Sequence, residues 1–170
     1  MDRSLNSPPA PRSTPPTAKE KNAVQRAVNG LLDALAPERA TTRASRMPVP
    51  VERHRTPTGC VLQAATAALS VSWFPDTNTD GSLGELQIAV WRGVLSRRGS
   101  APQPEAAVVM REFVVRPIAQ PTDDFVWRGT DDVTYDVATL AAHCTTLLET
   151  QMLADDPSGT AQSTTARRRD

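Results

Sequence analysis

The sequence predicts a small α+β domain: a mostly antiparallel sheet of about four strands packed on a C-terminal helix, with a second helix on the N-terminal side. Three observations lead there. Strand-like segments follow one another at 60–74, 85–95, 106–115 and 124–129. The loops at 75–84 and 96–105 are rich in turn formers, so pairing of consecutive strands in antiparallel fashion is the economical topology. Helical stripes then flank the strand region at 18–36 and 136–153.

Residues 1–17 come first and read as a tail. Five prolines with Ser, Thr and Asn fill 1–16, a composition that buries nothing and stays extended or disordered. Thr17-Ala-Lys-Glu20 fits a capping box, in which the Thr hydroxyl accepts from the third helical amide and the Glu reaches back. Val24, Val28, Leu31 and Leu35 follow on one helical face, and Pro37 ends the run. Gly30 weakens this helix by about 1 kcal/mol relative to Ala.

Residues 37–58 read as a linker. Pro48, Pro50 and Pro57 exclude a helix and disfavour a central strand, and five arginines with His54 face only two glutamates. The domain proper is expected over 59–154. Its first segment, 60–74, is ambiguous. Leu69, Val71 and Trp73 alternate with Ser70 and Ser72, as in a strand, whereas Val61, Ala64, Ala65, Ala68 and Leu69 also fit a helical face. A strand throughout is the reading adopted, with a short helix before a strand at 69–74 as the alternative.

The second segment is plainer: Leu86, Ile88 and Val90 face one way, and Gln87, Ala89 and Trp91 the other. In the third, Val109, Phe113 and Val115 share a face that Arg111 interrupts. Val-Trp-Arg-Gly occurs at both 90–93 and 126–129, but the flanks differ, so a shared strand composition explains it without a duplication. The last helix carries Val137, Leu140, Ala141, Cys144, Leu147, Leu148 and Met152 on a stripe about 120° wide, capped by Asp132 or Asp136. Residues 155–170 read as a second disordered tail.

The zero net charge of the 170-residue chain hides an asymmetry. Residues 1–58 hold ten Lys/Arg against five Asp/Glu, and 59–154 hold six against eleven. An acidic folded part argues against a nucleic-acid-binding sheet, and leaves the basic linker as the contact segment if there is one. Its candidates are Arg39, Arg43, Arg46, Arg53 and Arg55. No aromatic residue interleaves them, so a stacking platform for single strands is missing. Without an apolar leader or a run of membrane-spanning length, a cytoplasmic protein with no membrane contact is expected.

Asp76-Thr-Asn78-Thr-Asp80-Gly81-Ser82-Leu83 places oxygen ligands at positions one, three and five of a loop, with Gly at the sharp turn. Over these eight residues it resembles the start of EF-hand and dockerin calcium loops, and the Asp-rich hairpin loops of some β-propellers. That resemblance implies calcium ligation by Asp76, Asn78 and Asp80, the one cofactor the sequence suggests. The twelfth position is Gln87 where an EF-hand has a bidentate Glu, and a polar hairpin loop accounts for the same residues.

Catalysis has little support. The chain has no G-x-S-x-G elbow, Walker loop, Gly-rich dinucleotide turn or H-E-x-x-H. Asp123, Asp124, Asp131 and Asp132 cluster near the last strand, where solvated turns explain them as well as acid–base chemistry does. His143 and Cys144 point about 100° apart on a helix and cannot act as a base–nucleophile pair. Cys60 and Cys144 read as buried thiols.

Three functions are therefore weighed. The first is a non-enzymatic interaction or adaptor module with a protein partner or a second copy of itself. Trp91, facing away from the core, and the stripe Val24, Val28, Leu31 and Leu35 would carry the contact. The favoured reading of Trp91 is nonetheless as core, with the N-terminal helix covering the second face of the sheet, because the apolar side of helix 18–36 needs burial. The second is a nucleic-acid-associated protein using the basic linker, and the third a small-molecule-binding domain.

Overall fold

A computed structural model describes residues 15–37, 50–76, 82–95, 107–120 and 125–155. The α+β class is found, but among the described residues the sheet has seven strands where about four are expected, all antiparallel and arranged in chain order. They are β1 (Glu52–Thr56), β2 (Gly59–Gln63), β3 (Ala67–Phe74), β4 (Glu85–Arg92), β5 (Val108–Ala119), β6 (Phe125–Gly129) and β7 (Thr134–Tyr135). Helices α1 (Ala18–Leu35) and α2 (Val137–Ala154) precede and follow the sheet.

The first correction concerns the basic linker, whose residues 52–56 form β1. Prolines 50 and 57 flank this strand and do not interrupt it. As an edge strand it supplies only one hydrogen-bonded ladder. Pro57 and Thr58 make the turn to β2, where the Thr56 hydroxyl donates to the Gly59 carbonyl at 3.2 Å. Position 59 admits no side chain, because a Cβ there would lie 2.4 Å from the Val71 carbonyl oxygen.

The second correction concerns 60–74, which is a hairpin and not one strand. Ala64 N–H donates to Ala67 C=O at 2.8 Å across the turn. The core-facing parity changes there, from Cys60 and Leu62 to Ala67, Leu69, Val71 and Trp73. The turn carries neither Gly nor Pro. Gln63 supplements its backbone bond: the side-chain amide donates to the carbonyls of Ala64, Ala67 and Gly93 and accepts from Leu95 N–H.

The third correction is in β5. Val90 pairs with Arg111 but Trp91 pairs with Val109, so the register slips by one residue. This β-bulge moves Val109 to the face opposite Phe113 and Val115.

Both helices begin at capping boxes. In α1, Glu20 N–H donates to Thr17 Oγ1 at 3.2 Å and Thr17 N–H to Glu20 Oε2 at 2.8 Å. In α2 the cap is Asp136: Thr139 N–H donates to its Oδ1 at 2.7 Å, and Asp136 N–H to Thr139 Oγ1 at 2.9 Å. Asp132, the other cap candidate, instead sits at a positive φ of 62° in the β6–β7 turn.

The helices pack on each other and on the same face of the sheet. One cluster holds Val24, Val28, Leu31, Leu32 and Leu35 of α1 and Leu140, Cys144 and Leu148 of α2. Its sheet members include Leu62, Leu69, Val71, Leu86, Ile88, Val115 and Trp127. The Trp73 and Trp127 rings meet edge to face, with centroids 6.0 Å apart, although β4 and β5 lie between their strands. Flat strands three places apart are separated by about 14 Å. The two indoles therefore lean toward each other over Leu86 and Val115 and close that end of the core. None of the described helices is long and apolar enough to cross a membrane.

Candidate functional site

Both helices lie on one face of the sheet, and among the described residues no helix or strand covers the other. Register assigns the side chains of that face in rows across the strands. One row runs His54, Val61, Ser70, Ala89 and Glu112; the next runs Gly59, Ser72, Gln87 and Val114. Gln63, Ala68, Trp91 and Val109 make a third. The middle is built from small residues, so its floor is shallow and Trp91 is its largest feature.

Trp91 is half-buried, and its Nε1–H donates to Ser70 Oγ at 2.9 Å. Its direct cross-strand partner is Ala68, so the bond to Ser70 draws the indole across β3. With Gln63 on the other side, the indole helps to bury Ala68, over which no helix or strand packs among the described residues. The bond holds the half-buried indole in one orientation, the form in which an aromatic anchor costs least entropy to use. Phe74 (48 % exposed) and Val109 (43 %) add apolar surface at two borders of the face.

The other end of the face carries charge. Arg116 and Arg128 are direct cross-strand partners on β5 and β6. Arg116 Nη2 donates to Glu85 Oε2 at 3.1 Å. Arg128 is half-buried; its Nε is fully buried and has no hydrogen-bond partner among the described residues.

The remaining sequence candidates separate cleanly. Val24, Val28, Leu31 and Leu35 are at most 2 % exposed within this chain's own core. They leave no apolar stripe on α1 for another chain. Arg55 points from β1 to α1 and pairs with Asp33. Arg53 lies exposed on the same strand. Arg39, Arg43 and Arg46 fall outside the described residues, as do Asn78 and Asp80 of the calcium-loop motif. Asp76 is described, and no cluster of three His, Cys, Asp or Glu suited to a metal exists among the described residues. Asp123 and Asp124 lie outside them too. Asp131 serves its own turn, accepting from Val133 N–H at 3.2 Å.

Cys60 and Cys144 are free and buried. Burial pushes both thiols up to about 12; the Arg55 charge opposes this for Cys60, and the neighbouring Cys60 adds to it for Cys144. Thiols held this firmly protonated are poor nucleophiles. His143 stands between aromatic rings, 5.7 Å from Phe113 and 5.3 Å from Tyr135 by centroid. It fills a border of the core.

The signal for the uncovered face was present in the alternation of β3 and β4. The Arg116–Arg128 pair was missed because it depends on the β5–β6 register, which no local pattern specifies. Compared with family models, curated proteins and solved structures, the chain matches none.

Proposed function

We propose that this protein is a non-enzymatic interaction module and that the uncovered sheet face, centred on Trp91, Ala89 and Ser70, is its protein-binding surface. The observation that carries the reading is the one-sided placement of the helices. A sheet in a two-layer domain buries one face and solvates the other, and a solvated face is ordinarily polar. Here the second face has Val61, Ala68, Ala89, Trp91, Val114, Ile118 and Val126 among its members. A floor of mixed small residues, Ser70, Ser72 and Ala89 among them, beside one fixed indole suits an extended segment of a partner, with the aromatic as anchor.

The test is selection of a random dodecapeptide display library on the immobilised full chain. Binders are then measured against Gln87→Arg, which plants a long cation in the middle of the face, and Asn29→Arg on the exposed side of α1. The reading expects enriched binders that lose affinity at least about tenfold on Gln87→Arg and not on Asn29→Arg. Failure to enrich binders, or binders indifferent to Gln87→Arg, would contradict it.

A further inference from the structure

Arg116 and Arg128 stand directly opposite each other on adjacent antiparallel strands, on the same uncovered face. Like charges in that relation destabilise a sheet unless a counter-charge is near. Glu85 answers one of them, bonding Arg116 at 3.1 Å. Among the described residues no carboxylate is paired with Arg128, and nothing accepts from its Nε, although that atom is fully buried. A buried Nε is out of reach of a ligand as well as of water, so the Nη edge of Arg128 is the part that can meet one. The next pair along the same two strands on this face is Ile118 and Val126, both half-buried. The cations therefore adjoin apolar surface.

We infer that Arg116 and Arg128 form a clamp for one carboxylate, an Asp or Glu side chain carried by an apolar-flanked segment of the protein partner. The inference rests on the proposed function and adds the chemistry of the partner. A planar guanidinium fork matches a carboxylate through two parallel N–H···O bonds, and two arginines side by side on adjacent strands offer such donors to one acid. Two cations beside an Ile–Val pair suit a single acid among apolar neighbours better than a chain of phosphates, which would need a longer basic track.

A synthetic array of extended octapeptides tests this. Each carries Asp, Glu, Asn, Gln or Lys at one position between Leu, Ile or Phe neighbours, and each is titrated against the full chain by fluorescence anisotropy. Acidic members are expected to bind about tenfold or more tightly than their amide counterparts. Arg128→Met should abolish that preference. So should Arg116→Met, at a site whose side chain is 67 % exposed and which therefore tolerates replacement. Equal affinity for acids and amides, or a preference that survives both replacements, would overturn the clamp. Peptides that bind without an acid preference, and are lost on Gln87→Arg, overturn the clamp alone. Absence of binding by the whole array overturns the docking face with it. Tight binding of a labelled dodecathymidine that is lost on Arg128→Met would reassign the arginines to phosphate and also overturn the clamp.

Discussion

Trp91 Nε1–H donates to Ser70 Oγ across the β3–β4 ladder at 2.9 Å, on the side of the sheet away from both helices. The indole is thus fixed by a hydrogen bond to the neighbouring strand. Trp91→Phe and Ser70→Ala each remove this bond while leaving the helix-covered core untouched. Each should cost about 0.5–1.5 kcal/mol in urea unfolding, and the double variant should cost less than the sum of the two. A strictly additive double variant would mean that the bond contributes nothing.

The helices and the sheet share one core, so deleting side chains from either helix should be felt globally. Leu31 and Leu148 are fully buried, and Leu31→Ala or Leu148→Ala should each cost about 2–5 kcal/mol. Leu153, at 78 % exposure, should cost less than about 0.5 kcal/mol. A small effect of Leu31→Ala in chemical denaturation would place α1 outside the core and return its stripe to the surface.

Gly84 lies at a φ of +120°, and a Cβ there would sit 2.5 Å from the Phe74 carbonyl oxygen and 2.7 Å from the Trp73 ring. Gly84→Ala combines backbone strain with a clash against an aromatic that closes the core. A loss of about 2–4 kcal/mol is expected. Near-ultraviolet circular dichroism should also change, because the Trp73–Trp127 contact must shift.

The buried thiols set an alkaline limit. Their ordinary value of 9.0 is raised to about 12 in the folded chain by burial. The folded state therefore holds more protons than the unfolded state between those values. Their contribution to stability is complete below pH 9 and is lost as pH rises toward 12. Unfolding midpoints measured from pH 7 to 11 should fall above pH 9, and by less in Cys60→Ala/Cys144→Ala. An equal fall in that variant would assign the loss to other groups.

Much of this was legible in the chain itself, for identifiable reasons. Thr17 with Glu20 and the 24-28-31-35 spacing are local signals, and α1 lies where they place it. Leu86, Ile88 and Val90 against Gln87, Ala89 and Trp91 likewise give both faces of β4. Three features escaped because their causes are not local. The β2–β3 turn is braced by Gln63, whose amide bonds residues up to Leu95, a contact that no turn propensity anticipates. Strand β1 exists because Cys60 and Leu62 offer a ladder to Arg55 and Arg53, despite flanking prolines. The bulge at Trp91 reversed Val109, so alternation counted along β5 alone failed there. Which face would stay bare depended on both helices choosing the same side, a decision of tertiary packing.

The most direct test of the docking face is nuclear magnetic resonance mapping on the full chain with a peptide from the display selection. Perturbations should concentrate at the Trp91 indole N–H and the amides of 68–72, 87–91 and 114, while exposed positions of α1 and α2 stay still. Perturbations confined to the helices, with the Trp91 indole unmoved at saturation, would contradict the account.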